Sequence, residues 1–274
     1  MTNPQTVARA LLFYDDALAR TFEPFALSRP LSEMRVGAVL MRERWELALR
    51  STSVGFIGAG HLRGFSEPGV AHFGYPMILA GTVIVNSRAA IALHDDALVN
   101  AHREDSETAH KRGWFINDRL AAVQLRRDVH PDELASGSLT LESIAADNAG
   151  FVRVDVDGVW LDEVWDAVHQ LTTLLQADIP IIAKGRSFAN VSSNLNGPVV
   201  TGRHALFRED GASIEPFTFF DTTAGPVLIS KGAQVQAFTR VVGPCYIGHN
   251  SIVGGDRVAA CSIGDNCRVH GEIS

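Results

Sequence analysis

Arg29, Arg35, Arg42 and Arg44 crowd into one short segment of the chain. Guanidinium groups meet phosphate oxygens two at a time, so such a segment suits a phosphorylated ligand. If a helix begins near Arg35, Arg42 lies two turns on and shares its face. The competing reading is a solvated helix face on which these arginines pair with Glu33, Glu43 and Glu46. The adjacent carboxylates Asp15 and Asp16 are hard oxygen donors of the kind that hold Mg2+ together with substrate phosphates. A helix cap or a turn explains either one as well. Asn86-Ser87-Arg88 offers an amide and a guanidinium to a base or a sugar, or is a plain turn.

Other chemical signals fade on inspection. Gly55-Phe56-Ile57-Gly58-Ala59-Gly60 is similar to a dinucleotide fingerprint, but Arg63 stands where the third glycine belongs and no clear helix follows. His94, His102 and His110 lie among Asp95, Asp96, Glu104 and Asp105, yet their spacing does not converge on one ion, and a solvated helix or loop explains them. His204 and His249 read as surface or corner residues, so no acyl-transfer base is assigned. Cys245, Cys261 and Cys267 lack CxxC spacing and read as buried thiols of a reducing compartment.

The elements that must position these groups follow from composition and periodicity. With 46% hydrophobic and 20% charged residues, the 274-residue chain can bury a real core. Its net charge of −7 argues against a general nucleic-acid binder. Met1 to Ala10 has no signal-peptide character, and no apolar run approaches the roughly 20 residues of a membrane span, so a soluble, cytoplasmic protein is expected. Strands are expected at Ala8–Tyr14, Met77–Val85, Leu120–Leu125 and Phe151–Val156. Helices are expected at Val36–Arg50, at 89–103 and at Asp162–Leu175, the last with Val164, Val168, Leu171 and Leu175 on one face. Strands alternating with helices imply an open α/β sheet. Ligands of such sheets sit outside the carboxyl ends of the strands, which points to Asp15-Asp16 and Asn86-Ser87-Arg88.

From Pro226 onward aliphatic residues return at every sixth position: Ile229, Val235, Val241, Ile247 and Val253. This period fits neither an amphipathic helix nor a long hairpin. It fits a coil with three flat faces, each taking one hexapeptide, in which Ile247 stacks on Ile229 and Val253 on Val235. Glycine and asparagine would turn the corners, and the shorter step from Val253 to Ile263 reads as a corner loop. A β-sandwich with regular turns is the bland alternative. The chain stops at Gly271-Glu272-Ile273-Ser274 still in the repeat, so the coil reads as cut short.

The repeat segment resembles the hexapeptide-repeat acyltransferases, whose left-handed coils usually assemble as trimers. Further stretches are Leu12-Phe13-Tyr14-Asp15-Asp16, Phe22 to Leu31, Arg35-Val36-Gly37, Arg42 to Glu46, Ile84 to Arg88, Asn196 to Val200, Ile214 to Phe217 and Phe220 to Val227. On these the chain resembles the alternate bacterial form of bifunctional UDP-N-acetylglucosamine pyrophosphorylase/glucosamine-1-phosphate N-acetyltransferase. The resemblance implies an α/β nucleotidyltransferase-like domain at 1–195 and an incomplete left-handed parallel β-helix at 196–274. It implies UTP and a sugar 1-phosphate as substrates, pyrophosphate as product and a homotrimer. Arg29 and Arg35 would be catalytic, Arg42, Asn86 and Arg88 would bind substrate, and Asp15 and Asp16 would hold Mg2+. Acetyl-CoA would serve an acetyltransferase site in further coils; a non-catalytic relative that binds a sugar nucleotide is the other alternative. The chain departs from the nucleotidyltransferase pattern after its first strand, where Tyr14-Asp15-Asp16-Ala17-Leu18-Ala19-Arg20 replaces the glycine-rich loop whose amides hold a triphosphate.

Overall fold

A computed structural model describes residues 10–67, 69–70, 72–74, 76–93, 112–146, 151–184, 186–188 and 197–273. The chain divides into two compact units, Met1–Met34 with Val39–Asp166 and Arg35–Ala38 with Ala167–Ser274. The boundary thus lies near residue 166 rather than at 195. The reason is the helix Leu171–Ala183, which packs on the coil strands Val227–Ile229 and Cys245–Ile247 and so belongs with them.

In the first unit six strands form one sheet, in the order Thr52–Ile57, Ala10–Tyr14, Val83–Asn86, Arg119–Gln124, Arg112–Ile116, Val152–Asp155. Ala10–Tyr14 runs parallel to both of its neighbours, and Arg119–Gln124 runs antiparallel to Val83–Asn86. Successive side chains of a strand point to opposite faces. Leu11 and Phe13 therefore enter one core with Trp45, Val83, Val85 and Trp114. Leu12 and Tyr14 enter the other with Ile84, Val123, Leu134, Leu141 and Ile144. A strand covered on both faces needs the unbroken apolar run that Leu11-Leu12-Phe13-Tyr14 supplies.

Several expected elements are shorter or different. The helix expected at Val36–Arg50 spans only Met41–Leu49, because Gly37 takes a φ of 73° that no helix admits. Its first turn is closed by the Glu43 carboxylate, which accepts the Leu40 amide at 2.8 Å. Of Met77–Val85 only the part from Val83 onward is strand: Gly81, at a φ of 93°, turns the chain just before it, and Met77 and Leu79 are exposed. Ala89–Ile91 is a strand paired antiparallel with Gly158–Trp160 rather than the start of a helix; the rest of 89–103 lies largely outside the described residues, as do His94, His102 and His110. Arg119–Gln124 and Val152–Asp155 form the two other expected strands. Asp162–Leu175 is not one helix but holds the whole short helix Asp166–His169 and the start of Leu171–Ala183, and Val168 is exposed.

The second unit contains three parallel four-stranded sheets whose strands alternate along the chain, the pattern of a three-faced coil. Ile229 pairs with Ile247 and Val235 with Val253, all four fully buried. Parallel pairing throughout is not the pairing of a sandwich of hairpins. The coil begins earlier than the hexapeptide signal, since Val199–Thr201 already pairs with Phe219–Asp221 and Phe220 takes the inward place above Val241. The irregular step after Val253 is two single-residue shortenings, not one loop: Val258 stacks on Val241, and Ile263 on Ile247. Asn250 and Asn266 turn corners with φ of 56° each, a conformation asparagine tolerates.

Because Ile247 is solvent-free among the stacked aliphatics, Ile247→Ala is expected to cost about 2–5 kcal/mol. The same truncation at the exposed Val200 should cost far less. Urea unfolding of the two variants checks the contrast.

Candidate functional site

The carboxyl ends of Ala10–Tyr14 and Val83–Asn86 deliver Asp15, Asp16, Asn86 and Arg88 to one edge of the sheet. Strand alternation sends the two aspartates apart. Asp15 donates its amide to Ile57 and turns its side chain inward, where Oδ2 accepts the Leu31 amide at 3.3 Å and Oδ1 has no hydrogen-bond partner among the described residues. It lies so close to Gly58 that a Cβ there would stand 2.9 Å from Oδ2. Burial pushes the Asp15 carboxyl up to about 6.

Asp16 faces a cleft instead. Its Oδ1 accepts the Ala19 amide at 2.8 Å and Arg88 Nε at 3.0 Å, and its Oδ2 accepts Asn86 Nδ2 at 2.9 Å and Arg88 Nη2 at 2.8 Å. Partial burial pushes its pKa up, but these donors and the Arg88 charge outweigh it and hold the carboxyl below its usual range. Asn86 Oδ1 accepts the Arg88 amide, which fixes the turn. Arg88 Nη1 reaches across to the Leu161 carbonyl at 3.1 Å and to Asp162 Oδ1 at 2.8 Å. Arg119 Nη1 meets both oxygens of the same Asp162, at 2.9 and 3.0 Å, and its guanidinium carbon lies 4.0 Å from the centre of the Trp160 ring. Trp160 is itself anchored by Nε1 on the Ile116 carbonyl.

The opposite wall is the stretch Gly137–Glu142, and the cleft between has a volume of about 340 Å³. Tyr14 Oη holds that wall by the Leu139 carbonyl, and burial raises its phenol to about 12. Arg20 binds the carbonyls of Asp15 and Ala135 and lies flat against Gly137, where a Cβ would approach its guanidinium carbon to 2.8 Å.

Most amides of the loop after the first strand are not free for a ligand. Ala17 donates to Gly137, Ala19 to Asp16 Oδ1, Arg20 to the Asp16 carbonyl and Thr21 to Leu18. The departure noted in the sequence is therefore a structural one: a capped turn stands in place of a phosphate-binding loop. Asp15 and Asp16 do not form a seat for Mg2+ as arranged. One is buried with a raised pKa, and of the other's oxygens Oδ1 accepts two hydrogen bonds and Oδ2 three. Among the described residues no three His, Cys, Asp or Glu side chains gather to hold a metal.

Arg29 and Arg42, in the same unit as the cleft, do not line it. Arg42 is locked between Glu33 and Glu46, each at 2.8 Å, as the solvated-face reading anticipated in kind but in a half-buried setting. Arg29 pairs with the exposed Glu67. Arg35 belongs to the second unit, where it donates to the Ala38 carbonyl and lies over the Tyr246 ring. Arg44 is fully buried and donates to the Ile91 carbonyl. Neighbours in sequence are thus scattered in space. Asn86, Arg88 and Asp16 do meet, and Arg119, Trp160 and Asp162 were missed. One signal was available: Asn117-Asp118, both at positive φ, form the two-residue turn of a hairpin whose second strand opens with Arg119.

An α/β sheet with a charged cleft at the carboxyl ends of its parallel strands defines a protein that receives its ligand at the sheet edge. Comparison with known families makes the class specific: residues 11–187, more than half of the chain, match the sugar nucleotidyl transferase family, and the chain belongs to that family. It is accordingly a transferase enzyme, with a nucleotide and a sugar phosphate as the family's substrates. Among curated proteins none matches the chain. Among solved structures it is similar to a protein of Bacillus anthracis described as a glucose-1-phosphate thymidylyltransferase in complex with sucrose. That likeness has 11% identity and a TM-score of 0.34 over 67% of this chain and 98% of that one, too weak to carry an argument. Among the described residues no helix is long and apolar enough to cross a membrane.

Two outcomes follow from the electrostatics. The Arg88–Asp16 pair is nearly buried, at 7% and 17% exposure, so Arg88→Ala strands a carboxylate and is expected to cost about 3–5 kcal/mol in urea unfolding. Asp15 has a folded pKa above its unfolded 3.8, so its contribution is fully present below about pH 4 and is lost as pH rises through about 6. The loss is on the order of 3 kcal/mol, and Asp15→Asn should abolish that part of the stability profile between pH 4 and 7.

Proposed function

We propose that this transferase makes a UDP-sugar, with N-acetylglucosamine 1-phosphate and UTP as its substrates. A phosphate oxygen of the sugar phosphate attacks the α-phosphorus of UTP, the bond from that phosphorus to the bridging oxygen breaks, and pyrophosphate leaves with the electron pair. Little covalent work falls to the protein; its task is to align two anions and offset their charge. The observation that carries this reading is the cleft at the ends of the two central parallel strands, inside the family match, with Arg88 and Arg119 on one wall. Uracil and the N-acetylated sugar rest on the stretches of resemblance to the pyrophosphorylase family. By the same resemblance the coil is read as left-handed and as the element that assembles a homotrimer. The three free thiols suit a cytoplasmic setting.

The test is pyrophosphate release from purified protein with Mg2+ supplied. Release should require both UTP and N-acetylglucosamine 1-phosphate, and kcat/KM should fall at least tenfold when dTTP or glucose 1-phosphate replaces its counterpart. No release with any pairing of nucleoside triphosphate and sugar 1-phosphate defeats the reading.

A further inference from the structure

We propose that Arg119 is a phosphate-binding residue kept in reserve by Asp162, whose carboxylate occupies the seat of a substrate phosphate and gives it up when the phosphate arrives. The amides of Ala17, Ala19, Arg20 and Thr21 are spent inside the chain, which leaves an anion at this strand end few backbone donors and puts most of the charge compensation on side chains. Arg88 cannot turn to meet it: Nε and Nη2 are held by Asp16, Nη1 by Leu161 and Asp162, and the side chain is 7% exposed.

Arg119 differs on each count. Its side chain is 42% exposed and lines the cleft, and a single nitrogen, Nη1, makes both of its hydrogen bonds. Nε and Nη2 have no partner among the described residues. The Trp160 ring at 4.0 Å supports the guanidinium without using any of its N–H groups. Asp162 is 53% exposed, and an ion pair this open to water is readily exchanged. A phosphate carries more charge than a carboxylate and presents three oxygens to the unused edge of the fork. The segment bearing Asp162 keeps its place without Arg119, because the amides of Asp162 and Glu163 both donate to Asp166 Oδ2, at 2.9 and 2.8 Å. The carboxylates that line the cleft are Asp16, already neutralised by Arg88, and Glu142 on the facing wall, while Asp162 meets it through Arg119.

The inference rests on the nucleotidyl-transfer reading only for which phosphate is bound, so its test avoids turnover. Inorganic pyrophosphate and, separately, UTP are titrated calorimetrically into the full chain. Arg119→Ala should weaken binding at least tenfold. Asp162→Asn, which removes the resident competitor, should tighten it threefold or more, and Asp162→Glu should return it toward the native value. A merely structural carboxylate predicts the opposite sign, weaker binding without it. Unchanged or weaker binding in Asp162→Asn with a native unfolding midpoint overturns the proposal, and so does native affinity in Arg119→Ala or no binding of either probe to any form. Should Asp162→Asn fail to fold, a salt titration of the native protein decides: the apparent affinity must fall with salt in native protein and lose that dependence in Arg119→Ala. Tightened binding with no turnover on any substrate pair would sink the nucleotidyl-transfer reading and leave the phosphate seat standing.

Discussion

The contact between Arg88 and Asp16 organises the edge of the sheet. One guanidinium gathers the end of the first strand, the turn after Val83–Asn86 and the segment Trp160–Asp162, which are far apart in sequence. Removing an arginine and a carboxylate from water is expensive, and the mutual attraction repays it only when every remaining donor and acceptor is used. Here that condition is met: each Asp16 oxygen accepts at least two hydrogen bonds, and Asn86 serves both partners, through Nδ2 to the acid and through Oδ1 to the arginine's amide. The result is a rigid wall. Its charge is balanced within itself, so what remains responsive to a ligand is the outer, water-exposed pair.

The neighbouring aspartate shows how strongly position decides chemistry. Asp15 and Asp16 are the same residue type, one step apart, yet one carboxyl is pushed toward its neutral form and the other held ionised. The cause is the strand's two-residue period, which carries one side chain under the sheet edge against Gly58 and the other into the cleft. A shift of register by one residue would exchange their roles.

Much of this was readable beforehand, for reasons that differ by element. The coil announced itself because its inward positions recur at one spacing, and burial of Ile229, Val235, Val241, Ile247 and Val253 follows directly from that spacing. Asp16, Asn86 and Arg88 meet at one end of the sheet because they follow apolar runs that read as central strands and are such strands. The arginine segment misled because a helix was extended through Gly37, whose backbone leaves the helical region and hands Arg35 to the other unit. Trp160 and Asp162 were hidden for a related reason: Gly158–Trp160 is a short strand flanked by charge, and Asp162 read as the start of an amphipathic helix. Long-range pairing brought Arg119 beside them, and no local pattern encodes that. The boundary between units was displaced because amphipathicity shows that a helix has a buried face but not which neighbour covers it.

The coil's successive turns are not equal. Val200 pairs with Phe220 and Ile214 with Val235, while farther on Val235 pairs with Val253 and Val253 with Val269. The first pairs are 20 or 21 residues apart, the later ones 18 and then 16, and every shortening falls at a corner while the strands keep their phase. Such a scaffold has a reading frame of its own. Corners can gain or lose residues during divergence, as loops generally can. A single insertion within a strand would instead present polar side chains to the axis and aliphatic ones to water. Length variation among descendants of this chain should therefore accumulate along the coil's edges and spare its faces.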